Sequence, residues 1–369
     1  MKRLFDEPNG RSASRVVVPT LGGLAVYLGM IGATTTIVSW VSLPNMSLIL
    51  GCMTIILFLG LKDDILVLSP SKKIMVQLFV ATLLVVGGGF RLTSFHCFLG
   101  VEGLPFIASF IISTFACIVI INAFNIIDGI DGLASGLSIC ILTVLGIWFA
   151  INGVYEFSIY CFTMAGGLSS FFYFNIQSGK NKIFMGDTGS MLIGVFMFIL
   201  IIEFNTLNNM PDSIPYPVDS SPIVSFGILS YPLYDVIRVF VIRTIQHKSP
   251  LKPDKNHIHH RLLALGFSHI KSTTIILAFN VFLIGSVFLL QSIGNEWLML
   301  YIFTILGVAS TIPSFIIHHK GLILKDDPYQ QVMIPRLFSK EDKLFFTDRH
   351  AVMKPKRSIK QEVQSSDIS

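Results

Sequence analysis

Five aspartates, two asparagines and three histidines make up the chemistry legible in this chain, and they fall in four short segments. Asp63 and Asp64 end an apolar run in LGLKDDILVLSPSKK. Adjacent acids at such a boundary resist removal from water, so they call for cations, a metal ion or a water-filled cavity. A solvated turn balanced by Lys62, Lys72 and Lys73 is the plainer alternative. In INAFNIIDGIDGLASG, Asn122, Asn125 and Asp128 recur every third residue, near one helix face, and Asp131 follows a turn later beside Gly129 and Gly132. Two amides and two carboxylates form a hard-oxygen environment suited to Mg2+ and phosphate. A helix end closed by Gly, with Asp in the turn, accounts for one Asp and one Gly but leaves Asn122, Asn125 and the second Asp unexplained. Asp187, flanked by Gly186 and Gly189 in KIFMGDTGSMLIG, reads either as an ordinary helix cap or as a metal-binding carboxylate at a phosphate-friendly helix N-terminus. His257, His259 and His260 share a basic stretch with Lys252, Lys255 and Arg261; with no nearby Cys and no HExxH spacing, phosphate binding or proton transfer fits better than zinc.

The elements that must position these residues are membrane helices. The 369 residues are 52% hydrophobic and 13% charged, and the mean hydropathy is +0.70, which nearly excludes a soluble protein. Ten apolar runs are candidate spans: Leu21 to Trp40, Leu48 to Leu61, Ile74 to Gly89, Phe106 to Ile126, Leu133 to Ile151, Phe157 to Phe174, Met191 to Ile202, Val224 to Ile242, Thr273 to Ile293 and Trp297 to Ile317. They lack the period-2 alternation of barrel strands, so the expected fold is an all-α polytopic transmembrane bundle of about ten spans. With the N-terminus in the cytoplasm, 25 of the 27 Lys and Arg residues lie in segments on that side, Arg238 falls near the cytoplasmic end of the span from Val224 to Ile242, and only Arg91 lies outside. The basic character, pI 8.9, therefore records orientation and not a nucleic-acid partner. All five site acids then sit at cytoplasmic span ends, which makes that face the expected active-site face. The proline-rich loop from Glu203 to Pro222 is expected outside as irregular structure. Residues 1–317 form the expected membrane domain, and 318–369 a polar cytoplasmic tail without chemistry. Cys52, Cys97, Cys117, Cys140 and Cys161 show no paired spacing and read as reduced fillers of the core.

Taken together, DD after a span, NxxNxxDGIDGLA, FMGDTGS and the HIHH loop, in that order from Pro8 to about His269, resemble the polyprenyl-phosphate N-acetylhexosamine-1-phosphate transferase superfamily (glycosyltransferase 4), which includes the phospho-MurNAc-pentapeptide translocases. The form DKNHIHHRL is similar to the WecA-type branch, which acts on UDP-N-acetylhexosamines. This resemblance implies transfer of an N-acetylhexosamine 1-phosphate, by default GlcNAc 1-phosphate, from a UDP-sugar to undecaprenyl phosphate, giving undecaprenyl-diphospho-sugar and UMP. It implies the first membrane step of a cell-surface glycan, in the bacterial inner membrane with the active site facing the cytoplasm. Mg2+ is the implied cofactor, with Mn2+ as substitute. The implied partners are undecaprenyl phosphate, the UDP-N-acetylhexosamine and the bilayer, with a homodimer as one arrangement and no nucleic acid. By resemblance Asp187 is a metal ligand, joined by Asp64. Asp63 faces the lipid phosphate, and the pair Asp63 and Asp64 is catalytic together with Asp128 and Asp131. Asn122 and Asn125 belong to the substrate site, Phe184 stacks on uracil, Lys73 contacts phosphate, and His257, His259, His260 and Arg261 contact the diphosphate.

The chain also departs from that pattern. The chain starts almost at DEPNGR, a segment that in the family follows a transmembrane helix, RSAS places Ser14 where His is common, and a polar stretch, NIQSGKNKIFMGD, replaces the usual Pro-Ala pair. Two readings of other classes compete: a transporter, which the gathering of acids at one face and not at the midplane disfavours, and an inactive relative that binds polyprenyl phosphate without turnover.

Overall fold

A computed structural model describes residues 5–6, 18–37, 42–43, 45–179, 181–247 and 256–319. Ser14, Lys252, Lys255 and the tail from 320 onward lie outside the described residues. The chain divides into two compact units, Met1–Pro313 and Ser314–Ser369. In the second, the described residues are the end of one helix, where the Phe315 and His319 rings lie 6.2 Å apart.

The apolar runs fold as α1 (Gly22–Ile37), α2 (Met46–Leu66), α3 (Pro70–Thr82), α4 (Phe106–Ile127), α5 (Leu133–Ile151), α6 (Tyr155–Asn175), α7 (Gly186–Asn208), α8 (Ser221–Ile228), α9 (Ser230–Ile245), α10 (Ile258–Ala264), α11 (His269–Leu289) and α12 (Asn295–His319). Among the described residues, eight helices are long and apolar enough to cross a membrane, nine counting the bent pair α8 and α9, with α1 a shorter apolar helix. This is an all-α, multi-pass membrane fold. In lipid each backbone N–H and C=O needs an internal partner, which helices supply along their length. Strand is confined to two small antiparallel pairs, β1 (Phe5–Asp6) with β2 (Val18–Pro19) and β3 (Ser94–Phe98) with β4 (Val101–Gly103).

Helix α7 is the centre. Every residue from Thr188 to Ile202 is buried, as expected of a helix apolar all round, and α1, α2, α4, α5 and α8 pack on it. Two glycines let its neighbours approach closely. A Cβ on Gly60 of α2 would lie 2.3 Å from Thr188 Cα, and one on Gly194 of α7 would lie 2.4 Å from Ile121 Cα of α4. Between membrane helices, where burial from water supplies no drive, such backbone proximity is the main source of contact energy.

The structure corrects two expectations of continuity. The run from Val224 to Ile242 is not one straight span: it breaks at Leu229, and α8 and α9 meet at 82°. Pro232 has no N–H to give Ile228 O, and its ring clashes with that carbonyl in a continuous helix, so α9 restarts with Pro232 in its first turn. The loop from Glu203 to Pro222 is less irregular than expected: α7 runs on to Asn208, Pro211–Ser213 form a 3-10 turn, and α8 starts at Ser221 with Pro222 in its first turn. All five cysteines are free, and Cys97 is exposed on β3, unlike buried Cys52, Cys117 and Cys161.

Candidate functional site

The C-terminal ends of α2 and α4 and the N-terminal ends of α3, α7 and α11 bring polar groups to one end of the helices. Asp63 is buried and forms an ion pair with Lys73 at the start of α3. Lys73 Nζ also reaches Asp187 Oδ2 at 2.7 Å, so one ammonium joins two acids. Asp63 Oδ1 accepts the Leu68 N–H at 2.6 Å where α2 ends.

Asp64 points elsewhere, as adjacent helical residues must, about 100° apart. Its Oδ1 accepts the Asp187 N–H at 2.9 Å, and its Oδ2 accepts the Thr188 hydroxyl at 2.6 Å and the Thr188 N–H at 3.3 Å. A carboxylate of α2 thus caps α7 from outside its own sequence, meeting both its unpaired N–H groups and the positive end of its dipole. Gly186 makes room: its φ of +70° is left-handed, and a Cβ there would lie 2.7 Å from Asp64 Oδ2. Asp187 Oδ1 accepts Asn125 Nδ2 at 2.9 Å, and the same amide donates to Ser190 Oγ at 2.9 Å. Asn122 lies apart from this group. Its amide donates to Gln77 Oε1 on α3 at 2.8 Å, so it ties α4 to α3 beneath the acids.

Asp128 follows the end of α4. Partial burial, then the nearby acids Asp187, Asp64 and Asp131, push its carboxyl well above the ordinary value. Asp131 behaves oppositely. Burial works against its charge, but hydrogen bonds and charge from His269 and Lys182 outweigh burial and hold it below the usual range. Lys182 Nζ is 2.6 Å and His269 Nδ1 3.2 Å from Asp131 Oδ2. Lys182 Nζ also stands 5.3 Å from the centroid of the Phe184 ring. Asn175 ties the two loops here, accepting the Gly132 N–H at 2.6 Å and donating to Ile183 O at 2.8 Å. Phe184 itself is pinned to the start of α1, its N–H donating to Pro19 O at 2.9 Å and its carbonyl accepting the Gly22 N–H at 3.0 Å.

The histidine segment closes the rim. His259 is buried at 1% exposure, and its Nε2 would lie 2.8 Å from a Cβ on Gly129, so its ring packs directly on the DGIDG turn. Its Nδ1 has no hydrogen-bond partner among the described residues. Burial, with a smaller contribution from His260, lowers it to about 3. The rings of His257 and His259 lie parallel, 5.7 Å apart at 7°, and those of His259 and His260 are 4.3 Å apart. Arg261 is buried and donates to the carbonyl and side chain of Asn256 at 3.3 and 3.4 Å.

The structure therefore gathers Asp63, Asp64, Asp187, Lys73 and Asn125 into one network, places Asp131 near Phe184 through Lys182, and sets His259 against Gly129. Sequence reasoning missed Lys182, His269, Asn175, Asp235 and Arg238. For the last two there was a signal: an acid and an arginine three residues apart inside an apolar run. Among the described residues no three His, Cys, Asp or Glu side chains converge on a ready-made metal cage. The donors at the rim are carboxylate oxygens without thiolate, which suits Mg2+, an ion that takes one or two carboxylates and completes its shell with water and phosphate oxygens.

Fold and rim define a multi-pass helical membrane protein with an acid- and base-lined polar site at one end of its bundle. The family profile described as glycosyl transferase family 4 matches residues 46–205. The chain is 31% identical over 308 residues, 81% of its length and 80% of the relative's, to the undecaprenyl-phosphate alpha-N-acetylglucosaminyl 1-phosphate transferase of Escherichia coli strain K12. It is likewise 31% identical to the Yersinia pestis protein of that name over 305 residues, 81% of each chain. With the probable undecaprenyl-phosphate N-acetylglucosaminyl 1-phosphate transferase of Bacillus subtilis strain 168 it shares 32% over 315 residues, 82% of this chain and 81% of the relative. The chain belongs to glycosyl transferase family 4.

Proposed function

We propose that this protein transfers N-acetylglucosamine 1-phosphate to undecaprenyl phosphate. The observation that carries the reading is similarity over four fifths of the chain to transferases named for that reaction, and an acid- and base-lined rim at the helix ends supports it. The transporter reading loses ground for the same reasons. The donor is a UDP-sugar: an oxygen of the lipid phosphate attacks the phosphorus attached to the sugar, the bond from that phosphorus to the bridging oxygen breaks, and UMP leaves with that oxygen.

Two anionic reactants must meet in such a step, so neutralisation and positioning dominate catalysis. Lys73, shared by Asp63 and Asp187, supplies a cation to the incoming phosphate. Asp64 holds the first turn of α7 so that Asp187 faces the rim. Lys182 and His269 fix Asp131 beside Phe184, whose ring offers a stacking face for the base. The histidine loop and Arg261 bring positive and hydrogen-bonding groups toward the diphosphate. A Mg2+ ion held by Asp187 would neutralise phosphate charge when bound. The site faces the cytoplasm, where the basic residues gather.

The test is UMP release from UDP-GlcNAc by membranes containing the protein, with added undecaprenyl phosphate. Release that requires both substrates is expected. If no UDP-N-acetylhexosamine in a panel yields UMP, the reading falls.

A further inference from the structure

Asp235 lies on α9 in LYDVIRVF, fully buried in the bent span. Its Oδ2 is 2.8 Å from His257 Nδ1, and its Oδ1 accepts the Ile258 N–H at 3.0 Å. Arg238, one turn on, stands 3.8 Å from Asp235 Oδ1 and donates to Asn256 O at 2.8 Å. Asn256 is therefore fastened to α9 by Arg238, and His257 and Ile258 by Asp235. A carboxylate only accepts, so the His257 hydrogen must sit on Nδ1, and the ring plane is set by that bond. The ring so fixed lies parallel to that of His259, which packs on Gly129. The orientation chosen at Asp235 thus passes through two imidazoles to the turn that carries Asp128 and Asp131.

We propose that Asp235 is a positioning residue of the transfer site: through His257 Nδ1 it orients the histidine loop toward the diphosphate of the sugar nucleotide. The proposal rests on reading that loop as a diphosphate contact. In metal sites, the carboxylate behind a ligating imidazole fixes its tautomer and orientation, and its loss lowers affinity about 10- to 100-fold. An imidazole aimed at phosphate obeys the same geometry.

The experiment is a double-mutant cycle on the full chain in lipid nanodiscs, with UDP binding read by calorimetry and kcat and KM for UDP-GlcNAc read separately. Asp235→Asn keeps an acceptor for the Ile258 N–H but turns an amide donor toward Nδ1, forcing the other tautomer. UDP affinity is expected to fall about 10-fold or more, with KM rising by a similar factor and kcat within a few-fold. His257→Gln should weaken UDP as much, and the double variant should be no weaker than the weaker single. Asp235→Glu retains the charge opposite Arg238 and shifts the acceptor by one methylene; reduced UDP affinity in a variant that melts like wild type separates positioning from folding. Unchanged affinity in both Asp235 variants, or losses that add in the double variant, would overturn the proposal. If His257→Gln itself leaves UDP affinity unchanged, the diphosphate reading of the loop fails and takes the proposal with it. Absence of UMP release by wild type would instead strike the transferase reading and leave the binding cycle interpretable.

Discussion

At the residue scale, adjacent Asp63 and Asp64 do different work: Asp63 balances Lys73, and Asp64 caps α7. Asp64→Ala removes three bonds from the first turn of α7 and is expected to destabilise the protein by about 1–3 kcal/mol while also lowering turnover. Asp187→Asn should leave the melting temperature close to wild type yet reduce turnover by orders of magnitude; near wild-type turnover at saturating Mg2+ would remove Asp187 from the reaction. His259 gives a pH signature. Its folded value, near 3, lies below the ordinary value of about 6.5, so the unfolded chain binds the proton more readily. Stability from the buried neutral ring is complete above about pH 6.5 and is lost as pH falls toward 3. Melting temperature should therefore drop from pH 7 to pH 5 more steeply in wild type than in His259→Gln. Parallel curves would contradict this account.

Helices carry the next set of consequences. The network around Asp187 exists because α2, α3 and α4 meet the start of α7 at close range, and small residues set that range. Gly60→Leu and Gly194→Val each insert a side chain where the neighbouring backbone already stands within 2.4 Å of a Cβ position. Overpacking of this kind typically costs about 1–3 kcal/mol, and more where backbone must move. Both variants should lose folded yield and monodispersity in size-exclusion chromatography, whereas Gly29→Ala, at a position with open space around its Cβ, should not. The break at Leu229 works at this scale too. It redirects α9, which packs on α4, and α9 carries Asp235 to the histidine loop.

For the whole molecule the prediction is sidedness. The gathering of 25 of 27 Lys and Arg in segments on one side predicts that the rim faces the cytoplasm and the turn Pro211–Ser213 the outside. A single cysteine at position 213, in a variant lacking the native five, should react with a membrane-impermeant maleimide added to intact cells. Labelling only after the membrane is opened would reverse the orientation and the assignment of the site to the cytoplasmic face.

Much of this was legible in the amino-acid order, for a physical reason. Apolar runs of about 20 residues must be helices in lipid, and acids or amides at their ends are too costly to be placed there idly. Asp63, Asp64, Asn125, Asp128, Asp131, Asp187 and the histidines could therefore be picked out without coordinates. What each side chain touches was not legible, because partners come from other helices. Asp64 meets Thr188 across 124 positions, and Asp131 meets His269 across 138. Asn122 reads like Asn125 along the helix, yet it faces Gln77 and not the acids. Asp235, passed over in its apolar run, gains its meaning from the bend at Leu229 and the packing of α9, which set it against His257. Periodicity reports where water is excluded; which excluded groups meet is decided by packing between helices that are far apart in the chain.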